Sequence, residues 1–371
     1  MSTLYVRFVI HLANHALAWR HEGPLFHRWL PEGESDAIGP SRQDNGNELI
    51  LWFERYGYVG TVGLITFAHD KREVDPILMA KQGVLDGGPL HGKLTLRDVS
   101  DDELAAVQTG AKGNVHYLYL ARRAVDYIHH ETSRFINILR TNYGQHWLSE
   151  LPQWDSSVES IGNYCRGRMG LTWRTETNAP WQPFIPDEEP IQLTARMSSN
   201  AQFKQYLTHT DWAQLAETLK KGYQPDSAGL LLARAHQLMD EDSLKYALVE
   251  AVTALDIALG NFLRAKIKNS SALKDAAQSF YKLQLPARTV ALTAFLENVN
   301  AADLEAALEA IKMRNKVAHE GWQPSEQEIP KVREKLLALF AVIGALLDGP
   351  SFRFPKSNIG NKLVTAEEWD K

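Results

Sequence analysis

The chain has 371 residues, of which 44% are hydrophobic and 23% are charged, and its formal net charge is −5. This composition excludes disorder for most of the chain, because disordered segments combine low hydrophobicity with high net charge. The single cysteine, Cys165, excludes a disulfide scaffold and a structural zinc site built on paired cysteines. No segment is strongly basic, since residues 1–225 carry 22 Lys and Arg against 26 Asp and Glu. Tight non-specific nucleic-acid binding is therefore not expected, although a local basic pocket stays open.

The N-terminal sequence argues against a targeting segment. Its first twenty residues are interrupted by His11, Asn14 and His15, unlike a signal peptide. No stretch reaches 18 uninterrupted apolar residues, so neither a transmembrane helix nor a membrane partner is predicted. We expect a cytoplasmic protein.

The first hundred residues are predicted to be rich in β-strands. Apolar and polar residues alternate imperfectly from Leu4 to Leu12, and residues 48–68 are rich in aromatic and β-branched side chains. Ser100 followed by Glu103 is a capping-box pattern, which predicts the start of a helix. Helical spacing of apolar residues then continues to about residue 144.

Four of the ten tryptophans and five prolines lie in residues 147–190. The simpler interpretation is an irregular segment that packs its indoles onto the N-terminal domain. The alternative is a ligand-stacking surface, because indoles stack on bases and bind cations, and three arginines lie beside them. These arginines are Arg166, Arg168 and Arg174.

Beyond residue 207 the pattern predicts helices almost throughout. The strongest signal is an apolar stripe within residues 243–267, at three- and four-residue spacing. The stripe consists of Leu244, Ala247, Leu248, Ala251, Leu255, Ala258, Leu259, Phe262 and Leu263. Asn300 is a predicted N-cap, with Asp303 as an acid in the first turn of the following helix. Amphipathic helices joined by short loops predict a helical bundle.

The predicted fold class is therefore α+β. A β-rich or α+β domain of unrecognised role covers residues 1–200, with its helical part at about 100–144. An all-α bundle follows at 207–348, and residues 349–371 form a C-terminal tail.

Three motifs lack residues that their chemistry needs. Residues 87–93 match the first seven positions of a phosphate-binding loop, but Leu94 stands where Ser or Thr must bind magnesium. The His-Glu pairs at 130–131 and 319–320 begin like a zinc-protease helix, yet both lack the second histidine. Cys165 has no local signature of a nucleophile. The sequence predicts no metal site and no cofactor.

One motif keeps a chemical interpretation, the segment Arg-Asn-Lys-Val-Ala-His at 314–319. Five helical positions rotate by about 500°, so Arg314 and His319 point about 140° apart and can flank one groove. An imidazole can take a proton from a ribose 2′-hydroxyl or give one to the leaving 5′-oxygen. A guanidinium can stabilise the anionic transition state, and Asn315 could orient the histidine or hold a phosphate oxygen. The alternative is an ordinary helix end, with cations that complement the helix dipole before a Gly321 cap.

Together with its flanking sequence, the motif resembles the HEPN superfamily of α-helical bundles. The ribonuclease members carry Arg, a polar residue that is often Asn, three further positions and then His, and residues 314–319 match this pattern fully. The His-Glu-Gly sequence at 319–321, the final helix after Pro324 and the segment 247–259 resemble the ApeA-like subgroup. The resemblance covers roughly residues 225–348.

This resemblance implies a dimer that cleaves RNA without a metal through attack of the 2′-hydroxyl. His319 would be the acid and base and Arg314 the phosphate stabiliser. Many HEPN ribonucleases are toxins or anti-phage defence effectors, so the resemblance implies an RNA substrate and allows an antitoxin or a trigger ligand as partner. The N-terminal domain would then be a sensor or specificity module.

Further residues are supporting candidates. Asp256 stands where family members commonly have a glutamate; it either pairs with Arg314 or is solvated at the edge of the apolar stripe. Glu320 could orient His319. Some cations could guide RNA or simply form solvated surface: Arg264, Lys266, Lys268, Lys274 and Lys316.

A non-catalytic interpretation stays open beside the ribonuclease. In it the bundle only dimerises, and the groove at Arg314 and His319 binds a nucleotide or a partner. The mild acidity of both halves of the chain favours this alternative.

Overall fold

The computed structural model describes part of the chain in detail. The described residues are 2–10, 26–27, 31, 33–39, 46–53, 64–67, 84–85, 90–110, 114–146, 148, 150–151, 169–183, 193–196, 207–268, 279–294, 296 and 299–347. They belong to two compact units, residues 1–243 and 244–371. All the described strands lie in the first unit, and helices alone form the described secondary structure of the second. The architecture is α+β, as predicted.

A five-stranded antiparallel sheet is the centre of the first unit. Its strands are β1 (Ser2–Ile10), β3 (Glu48–Phe53), β6 (Leu90–Val99), β7 (Met169–Arg174) and β8 (Gln182–Pro183). Their order in the sheet is β3-β6-β1-β7-β8. Two short antiparallel pairs complete the described strands. They are β2 (Phe26–His27) with β5 (Val84–Leu85), and β4 (Leu64–Phe67) with β9 (Leu193–Arg196).

One face of the sheet is apolar and forms the core of the first unit. The alternating residues of β1 on this face are all buried, as the pleat of a half-buried strand requires. These residues are Leu4, Val6, Phe8 and Ile10. On β6, Gly92 lies opposite Phe8, and a Cβ there would overlap the ring of Phe8. Glycine is therefore required at this close approach.

The described helices of the first unit are α1 (Asp101–Thr109), α2 (Val115–Asn142), α3 (His209–Lys220) and α4 (Ser227–Asp240). The predicted capping box is present at the start of α1, where Ser100 and Glu103 each bond the other's backbone N–H. The long helix α2 buries one face in the same hydrophobic cluster as the sheet.

The observed division of the chain differs from the predicted boundary near residue 207. The structure divides after Ser243, so α3 and α4 belong to the first unit. Trp212 of α3 packs its indole against Phe53 and Phe135, which lie in the sheet and in α2. The burial of Trp212 in this core explains why α3 does not join the helical bundle.

The second unit contains α5 (Leu244–Lys268), α6 (Leu285–Thr293), α7 (Ala301–Glu320) and α8 (Ile329–Leu346). Helices α7 and α8 pack on each other and on α5. All nine residues of the predicted apolar stripe are buried in α5, which confirms that interpretation. An ion pair of 3.4 Å between Glu309 and Lys335 joins α7 to α8.

Within the part of the chain that the structure describes, one helical segment is long and apolar enough to cross a membrane by length and composition alone. It is Leu244–Lys266 of α5, with a mean hydropathy of 1.4. Its stripe is buried in the bundle, as in the core helix of a soluble protein, so this is weak evidence for a membrane span.

Several sequence interpretations fall outside the described residues. They concern Cys165, Arg166, Arg168, Lys274, the first residues of the glycine-rich segment 87–93, and the tail 349–371.

Candidate functional site

The Arg-Asn-Lys-Val-Ala-His motif forms the last turns of α7. Asn300 caps the start of this helix, and its Oδ1 accepts the backbone N–H of Asp303, as predicted. The helix ends at Gly321, whose φ of 65° is the left-handed conformation that favours glycine. Its N–H bonds back to the carbonyl oxygen of Lys316, which closes the helix.

The motif lies on a part of α7 that does not serve the core. Helix α7 buries four side chains, the last of which is Ile311. From Lys312 to Glu320 every residue is at least partly exposed. Because these side chains do not pack in the core, they are available for binding or catalysis.

Arg314 and Asn315 are hydrogen-bonded to each other, and His319 shares no hydrogen bond with either of them. Arg314 is half-buried and donates from Nη1 to Oδ1 of Asn315, at 3.1 Å. His319 is exposed on the last turn. Asn315 therefore holds the guanidinium, whereas the sequence suggested the histidine or a phosphate oxygen as its partner.

Asp256 pairs with Arg288 of α6 and not with Arg314. The Asp256 side chain is 52% exposed, whereas that of Arg288 is 13% exposed. Asp256 thus lies at the solvated edge of the apolar stripe and ties α6 to α5. Sequence reasoning missed Arg288, because nothing local signals a partner that lies 32 positions away.

The remaining candidates are surface residues of their own helices. Arg264 donates to Oδ1 of Asn261 and to the carbonyl oxygen of Gly260, and the Lys266 ammonium lies 5.2 Å from the Phe262 ring centroid. Lys268 ends α5, and its side chain lies outside the described part. Glu320 is exposed, and the described structure gives it no contact with His319.

Lys316 contributes to the electrostatics where α8 begins. Glu328 accepts hydrogen bonds from the backbone N–H and the hydroxyl of Ser325. These bonds, with the nearby charges of Lys316 and Lys331, hold the pKa of Glu328 below its usual value. Positive charge at Lys316 is therefore partly balanced by a carboxylate.

No protein-family model matches the sequence, and it matches neither a curated protein nor a solved structure. Among the described residues, no group of three or more His, Cys, Asp or Glu side chains could hold a metal ion. The fold and the site define an α+β protein whose helical bundle presents an exposed Arg/His motif.

The first unit contains a buried polar cluster that sequence reasoning missed. Arg134 and Glu131 on α2 form an ion pair of 2.6 Å, and both side chains are less than a tenth exposed. Arg134 also donates to the carbonyl oxygen of Leu219, in the last turn of α3. The His-Glu pair at 130–131 thus belongs to a structural contact, and Arg134 occupies the position where a zinc protease needs histidine.

Tyr127 beside this cluster should make the protein sensitive to alkali. Burial and the charge of Glu131 raise the pKa of Tyr127 to about 12. Because the folded state disfavours the phenolate, the free energy of unfolding should fall as the pH rises from about 10 to about 12. Urea denaturation across this range measures the fall, which should shrink in Tyr127→Phe. An unchanged pH dependence in Tyr127→Phe would contradict the assignment; Tyr119, which lies on the same helix and is 60% exposed, is the matched Tyr→Phe control.

Proposed function

We propose that the protein is a metal-independent endoribonuclease of HEPN type. The observation that carries the proposal is the placement of Arg314, Asn315 and His319 on the last turns of α7, where no side chain is buried. All three side chains are accessible, and Asn315 fixes the direction of the guanidinium. The complete match of residues 314–319 to the ribonuclease motif supports the same conclusion.

In the proposed reaction His319 accepts the proton of a ribose 2′-hydroxyl, whose oxygen attacks the adjacent phosphorus. Arg314 donates hydrogen bonds to the non-bridging phosphate oxygens and stabilises their growing charge. The bond from phosphorus to the 5′-oxygen breaks, and the leaving oxygen takes up a proton. A second copy of the chain, related by a two-fold axis, would supply the other histidine for this step.

The biological setting is part of the same proposal. The protein would act in the cytoplasm on RNA as a homodimer, as a toxin or anti-phage defence effector. Residues 1–200 would sense a trigger or select the substrate, and an antitoxin is a possible partner. The acidity of residues 226–348, with 14 Lys and Arg against 16 Asp and Glu, favours the alternative of a bundle that binds a partner without cleaving RNA.

The testing experiment is incubation of single-stranded RNA with the wild-type protein in EDTA, followed by analysis of the product ends. Attack by the 2′-hydroxyl predicts a 2′,3′-cyclic phosphate and a free 5′-hydroxyl. Cleavage that needs an added divalent cation, or that leaves a 3′-hydroxyl, would contradict the mechanism. Intact RNA with folded, dimeric protein would favour the binding alternative.

Asn315→Ala should lower kcat/KM for RNA cleavage about tenfold. The change removes the acceptor that holds the Arg314 guanidinium, and one hydrogen bond to a charged group is worth about 1.5–3 kcal/mol. Glu334→Ala is a matched control, because Glu334 accepts a hydrogen bond from its neighbour Lys335 on α8, outside the candidate site. Equal kinetics for both variants and the wild type would exclude a positioning role for Asn315.

A further inference from the structure

Trp322 lies directly beside the candidate site, immediately after the glycine that ends α7. The N–H groups of Gly321 and Trp322 both donate to the carbonyl oxygen of Lys316, so the chain folds back over the end of the helix. Lys316 precedes His319 by three residues, which is less than one helical turn. The two hydrogen bonds therefore fix the backbone of Trp322 against the turn of α7 that carries His319.

The indole of Trp322 is not used by the rest of the described protein. Trp322 is partly exposed and does not belong to the buried core. Its indole N–H donates no hydrogen bond to any described residue, and its ring makes no aromatic or cation–π contact with one. Because a tryptophan combines a large apolar ring with a polar N–H, it suits a surface that receives a flat ligand.

The end of α7 beside the indole offers positive charge. Residues 312–320 contain three Lys and Arg against one carboxylate. Glu328 partly balances the charge of Lys316. Lys312 and Arg314, in contrast, form no ion pair with any described residue. An accessible aromatic ring beside unpaired cations fits a strand that carries both phosphates and flat bases.

We propose that Trp322 binds single-stranded RNA by stacking on the base next to the phosphate that Arg314 contacts. Stacking holds the nucleotide and takes no part in breaking the phosphorus–oxygen bond, so Trp322 is a binding residue. A single strand fits because its bases are free to stack, whereas an acidic peptide would leave the indole unused. The inference deepens the proposed function, on which the choice of RNA rests.

The test uses the full wild-type chain and a labelled single-stranded oligonucleotide whose riboses are all 2′-O-methylated. Without a 2′-hydroxyl this strand is not cut by the proposed mechanism, so fluorescence anisotropy measures binding alone. Trp322→Ala should weaken binding about tenfold, which is the typical effect of losing one stacked base. Trp322→Phe should restore most of the affinity, because a phenyl ring also stacks.

An abasic strand of the same length separates stacking from a structural effect. It keeps the phosphates and lacks the bases, so wild type and Trp322→Ala should bind it equally. Tyr119→Ala is the matched control, since it removes a 60% exposed aromatic ring from α2 in the first unit. It should leave the affinity for both strands unchanged. Thermal melting checks that each variant is folded.

Three results would overturn the inference. They are equal binding of the base-containing strand by wild type and Trp322→Ala, an equal loss on both strands in Trp322→Ala, and no binding of either strand by wild type. Failure of the proposed function gives a different result. If wild type cuts RNA in EDTA and Trp322→Ala has the same KM and kcat, stacking alone is wrong. If the strand binds through Trp322 but RNA is never cut, the ribonuclease is wrong and the stacking site stands.

Discussion

Replacing His319 with alanine should abolish RNA cleavage, by at least about 10²-fold in kcat, and leave the fold unchanged. A general acid or base contributes about 10²–10⁴-fold, and this histidine is the proposed one. Its side chain is exposed on the last turn of α7, and none of its atoms serves the core. The loss of activity should therefore occur without a shift in melting temperature. Single-turnover cleavage in EDTA measures the effect.

His116→Ala is the matched control, because His116 is also an exposed histidine of a helical turn. It should cleave RNA at the wild-type rate. Arg314→Lys should also slow RNA cleavage, since lysine keeps the positive charge but loses the planar guanidinium that matches two phosphate oxygens. If His319→Ala cleaves RNA at the wild-type rate, the assignment of His319 as the acid and base is wrong.

The helical bundle could be predicted largely from local patterns. The stripe of α5 is continuous from Leu244 to Leu263, about five and a half turns, and the cap residues Asn300 and Gly321 mark the two ends of α7. These signals depend on residues close in sequence, so they can be recognised without knowledge of the tertiary structure. These local signals predict the exposure of the motif only in part. The last buried residue of α7 is Ile311, and where burial ends depends on how the helix packs in the tertiary structure.

The domain boundary and the acidic partner could not be predicted in this way. Trp212 joins a core made by β3 and α2, which are remote in sequence, and the local pattern of α3 is the same as for a bundle helix. Asp256 takes Arg288 as its partner through the packing of α6 on α5. Both outcomes depend on long-range contacts that periodicity does not encode.

The segment 147–190 is predicted to be irregular, but it contains strands β7 and β8; its packing onto the first unit is confirmed at Trp173, and the ligand-stacking alternative stays a prediction. Trp173 points into the core of the first unit and is 9% exposed, as the packing interpretation expects. Trp181 stacks on Arg174 at the opposite face of the sheet. Successive residues of β7 face opposite ways, which puts Trp173 in the core and Arg174, with Trp181 against it, on the other face.

Glu131→Ala should destabilise the protein by about 3–5 kcal/mol, because it leaves the charge of Arg134 buried without a counterion. Arg134 would keep only its bond to the carbonyl oxygen of Leu219, at the end of α3.

Replacing both partners, with Arg134→Met beside Glu131→Ala, should recover part of the lost stability, since an apolar pair carries no uncompensated charge. Urea denaturation of the singles and the double completes the cycle. Glu217→Ala, which breaks the exposed pair with Lys220, should leave the stability almost unchanged, because solvent screens an exposed ion pair. A loss in Glu131→Ala as small as that of Glu217→Ala would show that the buried pair does not hold α3 against α2.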